Sequence, residues 1–178
     1  MNEKNENKQI YRVIINAPIE RVWSEIVNTT SPRPFFYDAL CDTPGLEPGA
    51  PYRMVSKDRK FAFVVGEVVA FEPPYLYTQT FKFTTNDDPP CTVTYALREV
   101  DGGVEFSLIT ENAPVGTKTE KSMAEGSKWI SENLKAYIET GKVSFGAQLM
   151  LGVMGLIAPL TPKSASIEKW PLGKYEQS

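Results

Sequence analysis

Histidine is missing from the 178 residues. That removes Ser-His-Asp and Cys-His catalysis, imidazole acid–base chemistry and zinc sites built on imidazole. Any proton transfer must run through carboxylates, tyrosines, lysines or bound water. The carboxylate in the most unusual company is Glu67, inside the apolar run Phe61 to Phe71. In a strand, side chains alternate between two faces, so if Phe61, Phe63, Val65, Val69 and Phe71 point inward, Glu67 goes with them. This aromatic parity is the expected one, because a concave sheet leaves room for large side chains. The opposite parity would turn Ala62, Val64, Gly66, Val68 and Ala70 inward. A carboxylate on an apolar wall must be paired, hydrated or protonated. Glu67 therefore reads as a general base, as an anchor for a ligand's donor group, or as a solvated edge residue paired with Arg53.

The other polar tips on expected inward positions are Tyr52, Tyr77, Gln79 and Tyr95. Each joins an apolar body to a hydrogen-bonding end, which can orient a mostly apolar ligand or be satisfied by a neighbour in a core. Tyr77, Gln79, Phe81 and Phe83 alternate with Thr78, Thr80, Lys82 and Thr84. Farther on, Val104, Phe106, Leu108 and Thr110 alternate with Glu105, Ser107 and Glu111. Gly102-Gly103 supplies a tight hairpin and lacks the spacing of a phosphate loop. Cys41 and Cys91 are expected to be buried thiols, and no metal or cofactor is implied.

The elements that would position these residues follow from periodicity. Ile10 to Ile15 suits a strand. Pro18 fits a first helical turn, and Ile19, Val22, Trp23, Ile26 and Val27 recur at helical spacing. Four prolines between Thr30 and Gly49 exclude a long helix there, leaving at most a short turn at Phe35 to Leu40, with Phe35, Phe36, Tyr37 and Asp38 as candidate rim residues. From Ala50 to Thr110 the period is two, broken by turns at Lys57 to Lys60, Glu72-Pro73-Pro74, Asn86 to Pro90 and Asp101 to Gly103, which predicts an antiparallel meander. Gly116 to Lys142 is a long amphipathic helix with Met123, Ile130, Leu134, Tyr137 and Ile138 on its apolar side and Gly141 as its C-terminal cap. Trp23 and Trp129 read as packing anchors.

Val143 to Leu160 is apolar except for Ser144 and Gln148. It is shorter than the roughly 20 residues of a membrane span and ends against Pro159 and Pro162, which argues against a span. A helix apolar nearly all round should be covered, by its own domain, by a second copy in a homodimer, or as a lid in which Met150 and Met154 close a ligand entrance. The remaining tail, to Ser178, reads as solvated with Trp170 pinned to the surface. The division is residues 1–142 as one domain and 143–178 as its extension.

A content of 42% hydrophobic and 11% aromatic residues supports a sizeable core. A net charge of −3 with interspersed Lys and Glu gives no basic stripe, so nucleic acid is not an expected partner. The polar N-terminus has no signal-like apolar stretch, making the cytoplasm the default location.

Four segments, NAPIERVW, GEVVAFEPPYLYTQTF, TVTYALREVDGGVEFSL and EGSKWISENLKAYIE, in this order and spacing over Gln9 to Lys142, resemble the START-related SRPBCC superfamily. The branch resembled groups polyketide-cyclase-like proteins with homologues of the heat-shock ATPase activator. The resemblance implies an α+β helix-grip fold, a curved antiparallel sheet wrapped around the long C-terminal helix with an apolar cavity between. Thr110 falls near the place where members often carry a histidine or other polar group. The implied function is binding of a small hydrophobic molecule, lipid-like or otherwise apolar, with Tyr52, Glu67, Tyr77, Gln79, Phe81, Tyr95, Phe106, Thr110, Ile130 and Leu134 as candidate contacts. The alternatives are a cyclase, dehydratase or hydrolase using Glu67 and a tyrosine, and a chaperone-activating interaction module.

Overall fold

The meander forms as its turns dictate. The computed structural model describes residues 8–157 and 160–175. Five consecutive hairpin-linked strands carry the alternating segments: β3 (Pro51–Val55), β4 (Ala62–Glu72), β5 (Leu76–Phe83), β6 (Cys91–Val100) and β7 (Gly103–Glu111). Two further strands complete the sheet, the first where Ile10 to Ile15 suits a strand. β1 (Gln9–Ile15) returns to pair with β7, and the three-residue β2 (Leu40–Asp42), hidden in the proline-rich stretch, pairs with β3. The result is a seven-stranded antiparallel sheet in the order β1-β7-β6-β5-β4-β3-β2.

Helix α1 (Ile19–Ile26) buries Ile19, Val22, Trp23 and Ile26, the stripe set by its spacing. Helix α2 (Lys118–Thr140) begins at Thr117, whose side chain accepts the Glu120 N–H, and ends at Gly141 with φ of 78°. That left-handed residue is the glycine C-cap expected from sequence. The wet side of α2 ties it to the free edge of β1. Tyr11 donates to Glu132 at 2.6 Å, and Glu139 accepts the Asn16 N–H at 2.8 Å. Facing inward, Met123, Ile130 and Leu134 join one core with the inner side chains of the sheet.

Strand β4 corrects the expected parity. Val64 lies opposite Phe83 and Val68 opposite Gln79, so Val64, Gly66 and Val68 share the inner face. Val65 and Glu67 therefore point outward. Register shifts at both ends restore the aromatics: one between β3 and β4 leaves Phe63 beside Val64, and one after Val68 brings Phe71 opposite Tyr77. A bulge adds one residue and flips the alternation beyond it, which a uniform period of two cannot register. Gly66 is needed where it stands. A Cβ there would lie 2.0 Å from the Thr80 carbonyl oxygen and 2.7 Å from the Tyr52 ring. Its absence lets Tyr52 lie across β4 and donate to the Thr80 carbonyl at 2.7 Å.

The extension packs in two places. Helix α3 (Phe145–Ile157) follows Val143, and Val143 and Ala147 join the main core. Its opposite side leaves Phe145, Leu149, Val153 and Leu156 exposed. The expectation that this apolar helix would be covered is met on one side only. The tail then crosses the outer face of the sheet, where Ser166 bridges to Phe61 and Trp170 forms a second cluster with Leu40, Val55, Ala62 and Val65. Trp170 is 2% exposed and its indole N–H donates to the Ser164 carbonyl at 2.7 Å, so it is a core residue and not a surface pin. Among the described residues no helix is long and apolar enough to cross a membrane.

Candidate ligand cavity

The concave face of the sheet and α2 do not meet everywhere. Between them lies a cavity of about 240 Å³. The sheet contributes Met54, Phe63, Val64, Phe81, Phe83, Val93, Tyr95 and Leu108. Helix α2 contributes Ser122, Met123, Gly126, Ser127 and Ile130. The turn at Pro34–Phe36 and the residues after it supply Phe36, Tyr37 and Ala39, and α3 supplies Met154. The space has a sequence cause: Gly126 carries no side chain on the cavity side of α2, and a Cβ built there meets nothing within 4 Å. Tyr37, left-handed at φ of 53°, stacks on Trp129 with ring centroids 5.2 Å apart and so fixes the rim.

Of the expected contacts, Phe81, Tyr95 and Ile130 reach this wall. Phe106 and Leu134 border a smaller void of about 10 Å³, together with Arg33 and with Phe36, Tyr95 and Ile130, which line both spaces. Tyr77 and Gln79 lie behind the wall, where Tyr77 donates to Gln79 at 2.6 Å and Gln79 reaches the Tyr95 hydroxyl at 3.4 Å. Tyr52 is committed to Thr80. Thr110 is fully buried, and its hydroxyl has no hydrogen-bond partner among the described residues, but it is not among the lining residues.

Glu67 is the main correction. It lies on the outer face, in a cleft of about 620 Å³ shared with Lys82, Asp87, Trp170 and Tyr175. Tyr175 donates to its carboxylate at 3.4 Å. A cyclase base at Glu67 would thus be on the wrong side of the sheet from the apolar cavity. The outer cleft is larger, but it is an open groove bearing both signs of charge, unlike a site that must desolvate an apolar molecule.

The tyrosines at and behind the inner wall are not bases. Burial pushes Tyr95 up to about 12, against the opposing pull of Arg33, and holds Tyr52 and Tyr77 well above the ordinary phenol range. All three remain protonated at neutral pH. Ser127 lines the cavity, is 4% exposed, and its hydroxyl has no partner among the described residues. Ser127, Arg33, Gly126 and Met54 gave no signal in the sequence beyond their residue type. Ser127 and Gly126 would have been found by asking which small residues interrupt the apolar stripe of α2.

A curved antiparallel sheet closed over one long helix, with an apolar cavity between them, defines a helix-grip protein of the SRPBCC superfamily. The family model described as Activator of Hsp90 ATPase homolog 1-like protein matches residues 16–139, and the chain belongs to that family. Solved structures with the same fold include DynU16, a protein of the dynemicin biosynthetic locus, at 22% identity and a TM-score of 0.63 over 77% of this chain. This chain covers 49% of DynU16, about half its length. CalU16 from Micromonospora echinospora is similar at 18% identity and a TM-score of 0.60, covering 88% of this chain and 90% of that one. ChR145 from Cytophaga Hutchinsonii gives 22% identity and a TM-score of 0.58, covering 75% and 94%. At these identities the likeness is one of fold. Among curated proteins nothing matches the chain.

Proposed function

We propose that the protein binds a small, largely apolar molecule between the inner face of the sheet and α2, with α3 forming part of the wall. The observation that carries this reading is the apolar 240 Å³ cavity kept open by Gly126 and provided with an unpartnered buried hydroxyl at Ser127. An empty, unpaired hydroxyl is costly in a dry core and is satisfied by a ligand's polar atom. Since a cavity of about 150 Å³ suffices for benzene, this one suits a molecule of about two fused rings. Naphthalene binding, followed by fluorescence, tests the reading. One site per chain is expected, lost in Gly126→Leu, whose side chain would occupy the open space beside α2. A wild-type protein that takes up no naphthalene, or a Gly126→Leu variant that binds it unchanged, defeats it.

A second reading, an interaction module for an Hsp90-type ATPase or a homodimer through residues 143–160, draws on the family description and on the exposed apolar side of α3. Phe145→Ser with Leu149→Ser would weaken such an association and leave naphthalene binding in place. The enzyme reading lacks its proposed base, since Glu67 lies outside the cavity.

A further inference from the structure

Arg33 is 3% exposed, yet among the described residues no carboxylate lies within ion-pairing distance of it. Its Nε and Nη2 both donate to one acceptor, the Asn28 carbonyl, at 2.8 and 2.6 Å. That carbonyl lies just beyond the C-terminal end of α1, whose partial negative charge favours a cation only weakly. The other polar neighbour of Arg33 is the Cys41 thiol, where a side-chain hydrogen bond with Arg33 opposes the rise that burial imposes. A buried guanidinium answered by a carbonyl and a neutral thiol, with no carboxylate among the described residues, is an incomplete arrangement, because desolvating the charge is costly unless an anion answers it.

The void that Arg33 borders adjoins the ligand cavity, with Phe36, Tyr95 and Ile130 lining both. Its volume of about 10 Å³ holds one water-sized atom, enough for an oxygen and too small for a carboxylate. Tyr95 accepts from Gln79 and keeps its own proton for another acceptor. The charge of Arg33 also reaches the hydroxyls, pulling Tyr95 and Tyr77 downward against the effect of burial.

We propose that Arg33 and Tyr95 form the polar end of the cavity, and that its ligand is an apolar molecule of about two rings ending in a single acidic oxygen, a phenol or enol bound as its anion. The proposal rests on the cavity being the ligand site. The guanidinium supplies the countercharge, the Tyr95 O–H donates to the same oxygen, and the rest of the molecule fills the apolar space toward Met154. In return, the ligand's oxygen completes the environment of Arg33.

The probes are naphthalene, 2-naphthol and 2-naphthoate with the full chain. The wild type is expected to bind 2-naphthol about tenfold or more tighter than naphthalene, the factor a charge-assisted hydrogen bond provides. The absorption of bound 2-naphthol should show ionisation about one pH unit or more below that of the free compound. Arg33→Met and Tyr95→Phe should each bring the naphthol-to-naphthalene ratio toward one. Equal affinities in the wild type, an unshifted ionisation, or a ratio unmoved in both variants overturns the proposal. Tighter binding of 2-naphthoate than of 2-naphthol overturns its single-oxygen form. Should Arg33→Met fail to fold, Tyr95→Phe and the wild-type ionisation decide alone. Naphthalene that does not bind defeats the cavity reading itself, whereas naphthalene binding without a preference for naphthol defeats only this inference.

Discussion

Asn133 and Ser144 are joined twice: the Asn133 Oδ1 accepts the Ser144 backbone N–H at 3.0 Å and its hydroxyl at 2.9 Å. The amide nitrogen of Asn133 donates to the Trp129 carbonyl at 2.9 Å, and the side chain is 3% exposed. Ser144 in turn accepts the Ala147 N–H at 3.3 Å, so one buried amide on α2 sets where α3 starts. Asn133→Ala removes both bonds, and because Ser144 is exposed and water can answer its donors, the cost is about 1–2 kcal/mol. Because α3 has little else buried, the loss should appear locally. Hydrogen exchange is expected to quicken over Phe145 to Met154 while amides near Ile130 and Leu134 stay protected. Uniform loss of protection would mean that α3 and the core unfold as one unit.

Met154 touches the cavity while it is itself 36% exposed, the position of a residue at a mouth. Met154→Ser shortens the wall there without touching Val143 or Ala147. Naphthalene should leave several-fold faster in a stopped-flow dilution, with the melting temperature changed little, since a half-exposed methionine contributes about 1 kcal/mol or less of burial. Equal release rates would make α3 a packing element only.

Glu67 and Trp170 share the outer cleft, and their variants separate stability from binding. Glu67→Gln should leave naphthalene affinity unchanged, because its carboxylate reaches Tyr175 and not the cavity. Trp170→Ala should cost about 3–5 kcal/mol in denaturant unfolding, the range for a buried aromatic truncation. The Arg53 guanidinium donates to the Trp170 carbonyl at 2.8 Å, which keeps the tail in place in the variant. Removing everything after Lys142 would therefore strip a second core as well as α3, and only point changes isolate the wall.

The sequence made the frame legible because its punctuation is local. Gly141 ends α2, Asp101 to Gly103 turns β6 into β7, and the two-residue alternation of β5 places Phe81 on the inner face without ambiguity. Glu67 was misplaced because its orientation depends on two bulges, and a bulge is set by pairing with β3 and β5 and not by the residues of β4. Strand β2 was hidden because three residues carry no period. Arg33 was passed over for a different reason: arginine in a proline-rich loop reads as solvated, and its burial comes from the closure of Asn28 to Ala39 over the core, where Arg33 pairs through its backbone with Ala39. Tertiary closure, not composition, turned it into a buried cation.

The thiols give a prediction with a definite sign. Burial pushes Cys91 from 9.0 up to about 11, and its thiol donates to the Phe81 carbonyl at 3.6 Å. Cys41 is also raised by burial, despite the nearby Arg33. Only the thiolate reacts with a disulfide reagent, so at pH 8 roughly one Cys91 in a thousand is reactive in the folded protein. Ellman's reagent should therefore modify neither thiol of the native chain quickly, and both once denaturant is added. The same shift acts on stability. An acid whose folded pKa is raised stays protonated in the native state while the unfolded chain ionises. Its contribution is fully present below about pH 9 and is lost as pH rises toward about 11. Tyr52, Tyr77 and Tyr95 add losses of the same sign above pH 10. Stability should fall steadily from pH 9 to 11. In Cys91→Ala the slope over that window should lessen by about one proton, read from urea midpoints at each pH. An unchanged slope would show that Cys91 ionises alike in both states and is not enclosed as described.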